Sequence, residues 1–130
     1  MDLPAGPCDQ ILAREFWLEG RQVSQACVVF LRIGGRWFSV MYDDEDMKWK
    51  GSVSKEAPVA GTSKGDKADF YWPIVDLTQR HSIDLAGVEA AVEEDVGDAS
   101  RATIRFKNGR ALVLEHKYDD DSDSIRYVGV

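Results

Sequence analysis

The sequence predicts a mainly β protein: an antiparallel meander or partly closed barrel of about six to eight strands, with at most one or two helices. Three observations carry this expectation. Gly34-Gly35 and Asn108-Gly109 each lie between β-prone runs and suit hairpin turns that need positive φ. MKWKGSVSK, residues 47–55, alternates residue types with period two. DFYWPIVDL, residues 69–77, is aromatic and β-prone.

Residues 1–9 form an irregular, Pro/Gly-containing leader. ILAREFWLEG, from residue 11, reads as a first strand over 11–19. A helix between an Asp9 N-cap and a Gly20 stop stays open. With Gly34-Gly35 as the turn, Leu31 faces Phe38, Val29 faces Val40 and Cys27 faces Tyr42. In the next segment Met47, Trp49, Gly51 and Val53 share one face, and Lys48, Lys50, Ser52 and Ser54 share the other. That pattern predicts a third, half-exposed strand. Residues 54–68 show no periodicity and read as a long loop, mobile or functional. Pro73 restricts the aromatic run to a sheet edge or a strand end.

Residues 83–95 permit either helix or strand: Ala and Glu favour helix, while Val88, Ala90 and Val92 alternate. With Asn108-Gly109 as a two-residue turn, Phe106 faces Ala111 and Ile104 faces Val113 on an apolar side. Arg105 with Leu112 and Thr103 with Leu114 then make a mixed side, which also takes His116. SIRYVGV returns as a last short strand, so DDDSDS, residues 119–124, connects two strands.

A chain of 130 residues suits one domain with its own core. Its 44% hydrophobic and 30% charged residues are an ordinary globular composition. No apolar run is long enough for a membrane helix, and no secretory signal pattern is visible, so the expectation is cytoplasmic. In that compartment Cys8 and Cys27 stay reduced. The net charge of −7 is uneven, with 11 acidic against 6 basic residues over 83–130. That balance opposes phosphate-backbone binding and excludes nucleic acid as the expected partner.

The loudest stretch is HKYDDDSDSIRY, residues 116–127. Asp119, Asp121 and Asp123 match the first three ligand positions of an EF-hand. Ser124 then replaces the required Gly, and Val130 replaces the bidentate Glu, so that site is rejected. A looser oxygen site completed by Asp43–Asp46 requires two loops to meet. GTSKGDK at 61–67 has the wrong spacing for a phosphate loop. His81, Ser82 and Asp84 are too close in sequence to make a hydrolase triad, and His116 reads as a boundary residue. No catalytic set, metal-ligand spacing or cofactor motif emerges, and the balance leans away from an enzyme. The leading functional expectation is an inhibitor- or immunity-type domain that offers an acidic surface to a basic protein. Its contact residues are Asp119, Asp120, Asp121 and Asp123, with Asp43, Asp44 and Trp49. The alternatives are a small-ligand or cation-binding barrel with the 54–68 loop as a lid, and an enzyme with dispersed catalytic residues.

Overall fold

The computed structural model describes residues 1–67, 69–80 and 87–129. Its strands are β1 (Cys8–Leu18), β2 (Arg21–Ile33), β3 (Arg36–Asp43), β4 (Lys48–Val53), β5 (Ser63–Lys67) and β6 (Phe70–Asp76). After the one-turn helix α1 (Leu77–Arg80) come β7 (Val88–Asp95), β8 (Ala99–Phe106), β9 (Ala111–Lys117) and β10 (Ser122–Val128). The mainly antiparallel β expectation holds, with ten strands instead of six to eight among the described residues. They form two open sheets, ordered β4-β3-β2-β1-β6-β5 and β10-β9-β8-β7, and not a closed barrel. Among the described residues no helix is long and apolar enough to cross a membrane.

The Gly34-Gly35 hairpin forms in the expected register, with Leu31 opposite Phe38 and Val29 opposite Val40. Both glycines take positive φ, 59° and 80°, as a two-residue turn of this hand requires. The second hairpin differs by one residue. Phe106 N–H donates to Arg110 O at 2.9 Å, so Lys107, Asn108 and Gly109 make a three-residue loop. Gly109 supplies the left-handed position at φ 83°. Ile104 therefore pairs with Leu112, Ala102 with Leu114 and Ser100 with His116. A slip of one residue turns every side chain of β9 to the other face. Leu112, Leu114 and His116 consequently point into the protein.

Two other expectations change. Residues 63–67 of the expected loop form β5, and Pro58 in the remainder is buried. Strand β6 is not an edge strand, although it contains Pro73. Its ladder with β1 runs from Asp76 to Ile74 and resumes at Tyr71, so Pro73 falls in the gap beside the β1 bulge between Arg14 and Phe16. A residue without an N–H is tolerated there. The Arg14 side chain reaches into the same gap and donates from Nη1 to Trp72 O at 3.2 Å. Residues 11–18 are strand and not helix, and so are residues 88–95. The leader is held more firmly than its composition suggests. Gly6 pairs with Val88 through hydrogen bonds of 3.0 and 2.7 Å, and Met1 and Leu3 pack on the core.

One core fills the space between the sheets. Val29, Leu31, Val40 and Trp49 meet Val88, Ile104, Phe106, Leu112 and Leu114 from the other side. Trp49 is only 1% exposed, which corrects the expectation that it faces a partner. The alternating face of β4 that carries it is the inner one. Its backbone N–H donates to the Glu93 carboxylate at 2.9 Å, tying β4 to β7. A smaller cluster, Leu12, Phe30 and Ile74, lies apart from this core.

Replacing Trp49 with alanine is expected to cost about 3–5 kcal/mol in urea unfolding, as large core truncations do. Met47→Gly is expected to act in the opposite sense. Met47 is 64% exposed and holds a left-handed φ of 51°, so relief of backbone strain should add about 1 kcal/mol.

Candidate metal centre

The inward rows of both sheets are apolar along most of their length and turn polar at one shared end. On β9 the row runs Leu112, Leu114, His116; on β10 it runs Tyr127, Ile125, Asp123; on β8 it runs Ile104, Ala102, Ser100. The β2–β3 hairpin contributes Ser24 and Tyr42 at the same end. Polar groups so enclosed must satisfy one another.

Ser24 and His116 do so around Asp123, whose side chain is 13% exposed, whereas the Tyr42 hydroxyl is buried without a hydrogen-bond partner. Its Oδ1 lies 2.8 Å from His116 Nδ1, and its Oδ2 accepts from Ser24 Oγ at 3.0 Å. Burial pushes the Asp123 carboxyl upward, while the His116 and Ser24 hydrogen bonds pull the other way. His116 is buried as well, its side chain 6% exposed, and its ring stacks on Tyr42 with centroids 4.0 Å apart at 11°. Tyr42 in turn meets Trp49 edge-on at 5.6 Å. Trp49 thus props the site from inside instead of contacting a partner.

With Nδ1 engaged, His116 directs Nε2 outward. Asp121 Oδ1 stands 3.0 Å from it and Asp44 Oδ1 stands 3.5 Å from it. These two carboxylates are 70% and 68% exposed, so one buried nitrogen faces two accessible oxygens. All three donor atoms lie within 4.8 Å of one another. Asp44 comes from the β3–β4 turn and Asp121 from the β9–β10 turn, so the two acidic loops do meet. A positive φ of 55° at Asp121 bends the second turn.

The other expected residues serve different ends. Asp43 stabilises its own turn, accepting from Glu45 N–H at 2.9 Å, and pairs with Lys50 at 2.7 Å. The Lys50 ammonium holds the Asp43 carboxyl below its usual range. Asp120 accepts from the Ser122 hydroxyl at 2.6 Å, which lowers its carboxyl in the same sense. Asp119 is exposed on the turn. Asp123 belongs to strand β10 and is enclosed by His116 and Ser24, so it is no part of an exposed contact surface. His81, Ser82 and Asp84 lie outside the described residues.

Sequence reasoning missed His116, Ser24 and Tyr42. The signal for His116 was the period-two row Leu112, Leu114, His116, hidden by the wrong turn length. The trio Ser24–Asp123–His116 is not a hydrolase triad. There the histidine stands between nucleophile and acid, whereas here the aspartate is central and Ser24 donates to it.

The donors open onto a cleft of about 390 Å³ whose remaining wall includes Phe16, Val23, Cys27, Met41 and Trp72. The 54–62 segment takes no part in it. It runs beside β6 instead, with Gly61 N–H donating to Ile74 O at 2.9 Å. No protein-family model matches this chain, and no curated protein or solved structure is detectably similar to it.

Asp123→Ala is expected to cost about 1–3 kcal/mol in thermal or urea unfolding, since it strips buried donors of their acceptor. Asp119→Ala should stay within about 0.5 kcal/mol of the parent. Burial pushes the thiols of Cys8 and Cys27 up to about 11. Both should therefore alkylate with iodoacetamide at pH 8 about tenfold or more slower than in denaturant, where the thiolate forms near its ordinary value.

Proposed function

We propose that this protein binds a divalent first-row metal ion through His116 Nε2, Asp44 and Asp121. The observation that supports this most directly is a distance. Donors bonded to one tetrahedral zinc at about 2.0–2.2 Å stand about 3.3 Å apart. The His116–Asp121 and His116–Asp44 separations of 3.0 and 3.5 Å bracket that value. The supporting shell is consistent with this. A metal-ligating histidine usually donates its other ring N–H to a carboxylate, which fixes its orientation and tautomer. Asp123 offers that carboxylate, and Ser24 orients it. An imidazole donor favours zinc, iron or nickel over calcium, which takes six to eight oxygens.

A second reading retains the acidic surface. Asp44 and Asp121 are exposed on neighbouring turns, and a lysine or arginine from a basic protein could take the same central position. The metal reading is favoured because an exposed acidic surface does not require a buried histidine aimed between its carboxylates.

Calorimetric titration of metal-free protein with Zn²⁺ tests the proposal. A single site is expected, abolished by His116→Ala and by the double substitution Asp44→Asn/Asp121→Asn. Asp123→Asn should weaken it by about 10–100-fold while leaving the three donors in place. Zinc binding that ignores all these substitutions, or no binding at all, would refute the assignment. Calcium binding alone would move the site to an all-oxygen set.

A further inference from the structure

Resting on the metal reading, we infer that the centre is an open one, built to hold a small neutral ligand with a planar apolar body and one metal-coordinating nitrogen or oxygen. The argument begins with the number of donors. Structural zinc sites are closed by four protein ligands, whereas sites that work on a ligand keep three and leave a position vacant. Among the described residues the cluster supplies three donors: Asp44, His116 and Asp121. All three line the cleft, so the remaining coordination position opens into it.

The composition of the cleft sets the body of the ligand. Its wall includes Phe16 and Trp72, stacked with centroids 5.1 Å apart at 19°. Met41, 44% exposed, and Val23 add apolar surface, and Cys27 adds a thiol kept protonated by burial. Phe70 packs against both rings, 6.3 Å from Phe16 and 5.7 Å from Trp72, and completes a three-ring cluster. Parallel aromatic rings beside a slot favour a flat ring in offset stacking, and methionine sulfur adapts to its edge. A volume of about 390 Å³ falls within the range of small-molecule pockets.

Charge sets the head of the ligand. Two carboxylates already neutralise a divalent ion. Asp120, exposed on the same turn as Asp121, also lines the cleft and adds a third carboxylate beside the two donors. A phosphate or polycarboxylate would enter against that field, whereas a neutral donor would not. The ligand is therefore a neutral heteroaromatic or a similar flat molecule, with one end on the metal and the other against Phe16 and Trp72.

Cobalt(II) supplies a visible spectroscopic probe. Protein in excess over Co²⁺ is titrated with imidazole, 4-phenylimidazole and inorganic phosphate while the d–d bands are followed. The phenyl compound is expected to bind at least tenfold more tightly than imidazole, and phosphate to leave the bands unchanged. Trp72→Ala should remove most of the preference for the phenyl compound without altering cobalt affinity. Met41→Ala, at an exposed position that does not threaten folding, should reduce it in part. Equal affinities for the two imidazoles in the parent and both variants would overturn the inference while leaving the metal site intact. A tighter phosphate complex would overturn the charge argument. A cobalt spectrum identical to that of the free ion would remove the metal reading, and this inference with it.

Discussion

A carboxylate enclosed where two β-sheets meet must be given donors, and much of this structure follows from how Asp123 receives them. His116 comes from the adjacent strand of the same sheet, and Ser24 comes from the opposing sheet. The pair of bonds therefore does two things at once. It satisfies a group whose burial is otherwise costly, and it fixes the position of one sheet against the other at the polar end of the core. A few residues along, Ile125 N–H donates to the Gln25 side chain at 3.0 Å and repeats the link between β10 and β2. Apolar packing supplies most of the attraction between the sheets, but it tolerates sliding. Hydrogen bonds of defined length do not.

The same constraint positions the candidate site. An imidazole fixed at Nδ1 by Asp123 and on its face by Tyr42 retains little freedom, so the direction of Nε2 is set before any ligand arrives. Trp49 belongs to this support, since it fills the space beneath Tyr42. Rigid elements hold the buried donor, and turns hold the two exposed ones. That division suits binding: the histidine supplies geometry, while the turn carboxylates can adjust to an arriving ion.

The sequence was legible where local chemistry decides. Gly34-Gly35 permitted one register, and both flanking strands followed it. The acidic runs at 43–46 and 119–123 were visible as compositions, and their possible cooperation could be stated. What composition could not supply was their meeting, which depends on how β10 packs on β2, the neighbour of β3, across the two sheets. The larger miss was local. Asn108-Gly109 serves equally well in a two-residue turn or within a three-residue loop closed by Phe106 and Arg110. The difference is one residue, and it reverses the faces of Leu112, Leu114 and His116. A histidine assigned to the mixed surface was thereby hidden from the site it anchors. Pro73 misled for a related reason, because a bulge in its neighbour β1 excused the missing N–H.

The outermost strands of the two sheets carry a consequence for edge-to-edge association. An open sheet leaves unpaired backbone groups along its outermost strands, and these invite other chains to add on. Strand β4 answers with Lys48 and Lys50, and strand β7 with the exposed Glu89, Glu94 and Asp95. On β10, the Gln25 side chain occupies the Ile125 amide. Part of the negative charge in the second half of the molecule therefore stands along a sheet edge. It discourages strand-by-strand growth into aggregates, and like charges on β7 would repel a second copy approaching edge to edge.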